Sequence, residues 1–303
     1  MTLQLIKSFK KNAFTLVELL VVIAVIGLLS SIIFAITRGA DEQGRIARGL
    51  YFSQHLQNSL GSYAAGIWNF DEGSGTAAND ISGWENNGTL VNAPVWRCAS
   101  VDTNYTPSGQ GCSLEFNGST QYVNAGSGTS LAIASGGFTL ETWIYPKKID
   151  CSTTVTCAIW SNNGTSDGGD IIAIRENGYL WYYTLQGSWN SLTSTIPVSL
   201  NSWSHVVFTW DGETKKIYIN GQEKGSTNAT NDMRGITPVW IGRKAGSHAG
   251  YFQGLIDDTR IYNRSLTSAQ IQSQYYAGLQ NLLAKNRITE QEYQERIRAH
   301  DFF

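Results

Sequence analysis

Ser204-His205-Val206-Val207-Phe208-Thr209-Trp210 runs into Asp211-Gly212, and Lys216-Ile217-Tyr218-Ile219 then runs into Asn220-Gly221. The first run is β-branched and aromatic and is closed by turn formers, which marks a strand. Asn220-Gly221 supplies two residues that tolerate positive φ, so a tight hairpin is expected at that point. The same texture recurs at Leu114–Phe116, Thr139–Tyr145, Ile171–Arg175, Tyr179–Leu185 and Leu255–Tyr262, each bounded by Gly, Asn, Asp or Ser. In Tyr179-Leu180-Trp181-Tyr182-Tyr183 the odd and even positions must face opposite sides of a sheet. Composition agrees, with 31 Gly, 10 Trp, 14 Tyr and only 15% charged residues in 303. An antiparallel β-sandwich over residues 66–263 is the expectation, in a mainly β chain.

Upstream the texture changes. From Phe14 to Ile36 the chain is almost wholly apolar, and 23 residues of helix rise about 34 Å, enough for a hydrocarbon layer of about 30 Å. Lys7, Lys10 and Lys11 precede it, which places the N-terminus in the cytoplasm and the remainder outside. Residues 14–36 are therefore expected to span a membrane once. Residues 37–65, carrying Arg38, Asp41, Glu42, Arg45 and Arg48 with Leu50, Leu56 and Leu60 at loose helical spacing, read as a helical stalk. With a formal charge of −2 and no basic stripe, nothing points to nucleic acid. Cys98, Cys112, Cys151 and Cys157 all follow the apolar segment, where disulfides are permitted. Of the three pairings, Cys98–Cys112 with Cys151–Cys157 is favoured because each closes a short polar stretch; the spacings do not suit a zinc site.

Glu18 interrupts the apolar run, where an acid costs at least about 2.5–3.5 kcal/mol. Lys10-Lys11-Asn12-Ala13-Phe14-Thr15-Leu16-Val17-Glu18-Leu19-Leu20 resembles the prepilin signature of type IV pilins and type II secretion pseudopilins. The resemblance implies that residues 1–13 are a leader, that a prepilin peptidase of the bacterial cytoplasmic membrane cuts after Ala13, and that Phe14 becomes the N-methylated first residue. Glu18 would then meet the N-terminal amine of a neighbouring pilin or pseudopilin subunit, offsetting two buried charges. Ala13 stands where that family prefers Gly, and keeps the small size.

Ile67-Trp68-Asn69-Phe70-Asp71-Glu72-Gly73, Leu114-Glu115-Phe116-Asn117-Gly118, Trp203 to Gly212 and Gly254-Leu255-Ile256-Asp257-Asp258-Thr259-Arg260-Ile261-Tyr262 together resemble the laminin-G-like, concanavalin-A-like jelly roll. The resemblance implies a structural role for His205. It also implies a structural calcium held by Asp71, Asp80 and Asp257, with backbone carbonyls near Asn86 and Asn87; turn capping by the same Asp and Asn residues is the plain alternative. Trp143, Trp160, Tyr179, Trp181, Tyr183 and Trp189 are either core or a face that stacks on sugar rings. No nucleophile motif appears, so no catalytic residue is named. Thr267-Ser268-Ala269-Gln270 and Thr289-Glu290-Gln291-Glu292 open a helical hairpin within residues 264–303. It is expected to pack on the sandwich; Leu282 to Tyr293 also faintly resembles a short C-terminal oligomerisation motif.

The leading expectation is a non-enzymatic pilin-like subunit that displays the sandwich for adhesion or for a glycan or other surface ligand. A membrane-anchored lectin-like protein that does not assemble is the second reading, and a surface glycan hydrolase the third.

Overall fold

The structure is a computed structural model that describes residues 16–30, 60–133, 136–149, 157–162, 169–186, 188–230, 238–244 and 250–298. The chain divides into two units, 1–48 and 49–303. In the first, residues 16–30 form a helix, α1, whose apolar side chains and Glu18 are exposed. Among the described residues no helix is long and apolar enough to cross a membrane. Ala13, Phe14, residues 31–36, stalk residues 37–59 and Cys151 lie outside the described residues.

The second unit is two antiparallel sheets of eight strands each. The first runs β14 (Gln222–Asn228), β13 (Thr214–Ile219), β12 (Ser204–Trp210), β7 (Phe138–Pro146), β18 (Gln253–Tyr262), β5 (Cys112–Asn117) and β4 (Val95–Cys98), with β1 (Ala64–Trp68) also on β18. The second runs β11 (Ser188–Pro197), β10 (Tyr179–Gln186), β9 (Gly169–Ile174), β8 (Cys157–Ser161), β15 (Val239–Ile241), β6 (Tyr122–Gly126), β3 (Gly88–Val91) and β2 (Ala77–Ala78). A two-stranded ribbon joins β16 (Arg243–Lys244) to β17 (Gly250–Tyr251). Every strand expected from the sequence is present, and the sandwich begins at Ala64. The β13–β14 turn has Asn220 at φ 51° and Gly221 at φ 79°, the mirror-image geometry that suits a twisted hairpin.

The core lies between the sheets, where Trp68, Phe116, Phe138, Leu140, Trp160, Ile172, Tyr182, Phe208 and Trp210 pack together. Trp68 also donates its indole N–H to the carbonyl of Asn86 at 3.0 Å, so the large ring brings no unsatisfied donor inside. Strand β12 is buried along its whole length. Its second face, with His205, Val207 and Thr209, is covered from outside by α2 (Ser268–Ala284), whose Ile271 clusters with Val207 and whose Tyr275 stacks 5.9 Å from His205; α3 (Glu290–Arg298) follows. Both helices start on reciprocal side-chain caps, Thr267 with Gln270 and Thr289 with Glu292. Tyr275, Leu279, Ile288, Tyr293 and Ile297 seat the pair against Trp143, so the tail packs on the sandwich.

A disulfide joins Cys98 to Cys112 across the paired ends of β4 and β5. Closing a loop of this length restricts the unfolded chain by about 3 kcal/mol. Cys157 is also disulfide-bonded, and no described cysteine is free.

Candidate functional site

Strand parity divides the aromatic residues of the second sheet. Leu180 and Tyr182 of β10 and Ile172 and Ile174 of β9 point into the core. Trp181 and Tyr183, with Ile171 and Ala173, form a separate cluster on the opposite, outward face. On that face the register carries one row from Tyr183 to Ile171, Ser161, Trp240 and Asn124 across five strands. A neighbouring row runs from Trp181 to Ala173 to Ala158. Large rings thus stand on β10 and β15 with small or aliphatic residues on β9 and β8 between them; that floor, Tyr183 and Trp240 are buried, and only Trp181, Tyr122, Arg243 and Tyr251 are half-exposed. Three strand spacings separate the two sides, about 14 Å, the length of two to three sugar rings.

Each side of this trough is built from stacked π surfaces and a guanidinium. Trp181 stacks on Tyr183 with centroids 4.7 Å apart, and Arg175 lies 4.9 Å from the Trp181 ring. Opposite, Arg243 sits 4.4 Å from Trp240, 4.5 Å from Tyr122 and 5.7 Å from Tyr251, with Tyr122 edge-on to Trp240. These contacts hold the rings rigid without consuming their donors. The indole N–H of Trp181, the indole N–H of Trp240 and the Nε–H of Arg243 have no protein acceptor. All three atoms are fully buried, so a ligand with hydroxyl or ether oxygens reaches them only if the packing over this face moves aside.

The other aromatic candidates go elsewhere. Trp160 is core, tilted 5.3 Å from Phe138. Trp143 lies on the first sheet beneath α2, 5.0 Å from His205. Tyr179 is half-buried at the start of β10, and the side chain of Trp189 is outside the described residues.

The three Asp residues expected to share a calcium do not form one donor set. Both oxygens of Asp80 are occupied: Oδ1 accepts from the backbone of Ile67 and Ser82, and Oδ2 from Asn86 N–H and the Ser82 hydroxyl. Asp80 is a turn cap, as such residues mostly are. Asp71 and Asp257 do lie within electrostatic reach of each other, but Asp71 accepts from Cys112 N–H at 3.0 Å and Asp257 from Asp258 N–H at 2.8 Å. Among the described residues no group of three or more metal-ligating side chains meets.

Burial raises the Asp257 carboxyl well above its ordinary value, and the charges of Asp258 and Asp71 add to the rise against the Asp258 amide and the Arg260 guanidinium. Burial likewise raises Asp71. An acid raised in the folded state contributes stability that is complete below its unfolded pKa and is lost as pH climbs through the folded one. Asp257→Asn is therefore expected to raise the melting temperature at about pH 7.5 by about 2–4 °C, the scale of 1 kcal/mol for a domain of this size, and by less at about pH 4. A thermal scan at both pH values checks this. A fall in melting temperature, reproduced in the parent by a chelator, would instead mean that a cation holds Asp257.

On the outer face of the first sheet, under α2, Glu141 and His205 are almost fully buried and joined Oε1 to Nε2 at 2.9 Å. Arg260 reaches the same oxygen at 3.4 Å and Asp258 at 2.9 Å, while the Gln274 amide of α2 donates to the Glu141 carboxylate. Asp258, at φ 48°, is the bulge in β18 that turns Arg260 toward Glu141. Burial pushes Glu141 up, but the His205 hydrogen bond and the Arg260 charge outweigh it and hold the carboxyl below its ordinary value. This network ties strand to strand and sheet to helix, a structural task.

Two packed antiparallel sheets with an aromatic trough on one outward face define a lectin-like β-sandwich. The chain belongs to the Concanavalin A-like lectin/glucanases superfamily, whose profile matches residues 117–272. Residues 8–34, which include Ala13, Phe14 and Glu18, match the prokaryotic N-terminal methylation motif. No curated protein matches the chain. Among solved structures it resembles domain 4 of an extracellular arabinanase from Geobacillus stearothermophilus in complex with arabinotriose, at 19% identity and TM-score 0.53, covering 70% of this chain and 98% of that one. It also resembles the binding domain of Paraclostridial Mosquitocidal Protein 1, at 16% identity and TM-score 0.54, covering 73% and 53%. The botulinum neurotoxin serotype C1 binding domain follows at 14% and 0.51, covering 72% and 53%. The chain spans about half the length of those two toxin domains, and at these identities the likeness is one of fold.

Proposed function

We propose that the chain is a pilin-like subunit, processed by a prepilin peptidase and anchored in the bacterial cytoplasmic membrane, that displays its sandwich on the outer side to bind glycans in adhesion. The N-terminal methylation motif supports the first half of this reading. The second is supported by the aromatic face of the second sheet, where the half-exposed Trp181 stands about 14 Å across the strands from the half-exposed Tyr122 and Arg243 beside Trp240. That the resembling arabinanase domain is in complex with arabinotriose agrees with a sugar at such a fold.

Binding is favoured over cleavage. A glycosidase needs two carboxyl groups about 5–9.5 Å apart astride the bond. Among the described residues, the rows crossing the trough from Ser191 and Thr193 to Thr89 contain no Asp or Glu.

The test is calorimetric titration of the full chain in detergent with a panel of neutral oligosaccharides, arabinotriose among them. Indole anchors contribute about 2 kcal/mol or more to such interfaces, so Trp181→Ala with Trp240→Ala is expected to weaken binding by at least about thirtyfold while far-UV circular dichroism stays native. Arg243→Gln, which leaves the rings in place, is expected to weaken it about tenfold. Undiminished binding in both variants would remove the trough from the function.

A further inference from the structure

A second groove, on the opposite side of the sandwich from the trough, is bounded by the loop that the Cys98–Cys112 disulfide closes, by β7, by Asn201 to Trp203 and by the α2–α3 hairpin. Its cavity volume is about 280 Å³. The aromatic wall is rigid: Trp203 meets Tyr145 edge to face at 5.6 Å and donates its indole N–H to the Asn104 carbonyl at 2.9 Å. Both rings stay half-exposed. At the back stands Thr106, only 3% exposed, with a hydroxyl that has no protein partner. Facing these are two exposed guanidinium groups, Arg287 just beyond α2 and Arg296 on α3. Arg287 lies across Gly109, where an added Cβ would meet its Nε at 3.0 Å, so the glycine makes room for the cation.

The charge of this groove is only partly met: Arg296 lies within electrostatic reach of Glu292 and hydrogen-bonds the Tyr275 hydroxyl. No carboxylate lines it. Of the acids nearest in the chain, Asp102 accepts from Asn104 N–H and Glu292 caps α3 by accepting from Thr289 N–H at 2.8 Å. In the trough Arg243 is caged between rings; in the groove Arg287 and Arg296 are exposed beside a half-exposed indole. Arginine forks match carboxylate and sulfate oxygens two to two, and an indole face takes the apolar side of a sugar ring.

We infer that this groove is a second binding site, for an acidic saccharide, with a sugar ring on Trp203 and its anionic group between Arg287 and Arg296. The site goes beyond the proposed trough and does not depend on it. A surface bearing both would grip a mixed neutral and acidic glycan at two points, where linked contacts raise avidity without new chemistry.

The experiment titrates the full chain in detergent with trigalacturonate, 3′-sialyllactose and a heparin tetrasaccharide, each against its uncharged counterpart. At least one anionic probe is expected to bind tenfold or more tightly than its counterpart, and to weaken as salt is raised, because exposed charges are screened. Arg287→Gln with Arg296→Gln, both at exposed positions, is expected to remove that preference; Trp203→Phe is expected to weaken both members of each pair. Carboxylated and sulfated arms identify which anion the forks accept. Trp181→Ala with Trp240→Ala should leave the preference intact, which separates failure of the trough from failure of the groove. Equal affinity for anionic and neutral probes, or an anionic preference that survives the double arginine variant, would overturn the assignment.

Discussion

Glu141→Ala is expected to destabilise the sandwich by about 3–5 kcal/mol, lowering the melting temperature of the full chain by at least about 6 °C. The carboxylate is buried and accepts from His205 at 2.9 Å, from Arg260 and from Gln274, so its removal strands a cation, an imidazole and an amide beneath α2 together. Removing one partner of a buried pair costs far more than the pair itself is worth, because the survivor keeps its desolvation penalty. The pH dependence has a definite sign. Glu141 is held below its ordinary value, so its contribution is present above the unfolded carboxylate pKa and is lost as pH falls through the folded one. Glu141→Gln should therefore flatten the acid limb of the stability profile while losing less at neutral pH than Glu141→Ala. Urea unfolding of the three proteins at a series of pH values gives both quantities. A loss under about 1 kcal/mol in Glu141→Ala would mean that the network is solvated and carries little.

Glu18→Ala is expected to cut incorporation into surface filaments in the native host by at least about tenfold, with the full-length protein still present in the membrane. An acid in an apolar segment costs at least about 2.5–3.5 kcal/mol, so alanine makes insertion easier, and any defect must come from what the carboxylate binds. In the proposed assembly that partner is the new N-terminal amine of a neighbour, and losing one member of a buried ion pair leaves the other uncompensated. Immunoblots of sheared surface material against membrane fractions measure the ratio. Unchanged incorporation would leave a tethered sandwich that does not assemble.

What the sequence revealed and what it hid follow from how far each feature reaches along the chain. The hairpin at Asn220-Gly221 and the capping boxes at Thr267 and Thr289 are set by residues within a turn of one another, and all are present. β5, β7, β9, β10, β12, β13 and β18 were visible through local runs; β1, β3, β4, β6, β8, β11 and β14 were not named as strands, and the short β2, β15, β16 and β17 carry no period in two or three residues. Aromatic residues could not be sorted by parity alone. Helix α2 buries the outer face of β7 and β12, so Trp143 and Trp160 are both inside although they lie on opposite sides of the first sheet. The trough drew on Trp240, Arg243 and Tyr251, close together in sequence, and on Tyr122, more than a hundred residues away, which joins them only because β6 pairs with β15. Asp80 was ambiguous for a related reason: a turn cap and a calcium ligand use the same residue in the same kind of loop, and the capping bonds from Ile67, Ser82 and Asn86 appear only in the fold.

The most direct test of the account is the N-terminal peptide of the protein isolated from the surface of its native host, measured by mass spectrometry. A peptide that begins at Phe14 and carries one added methyl group on its amine is the expected result. A mature protein that still begins at Met1 would contradict it, and the sandwich would then be a binding domain on a plain anchor.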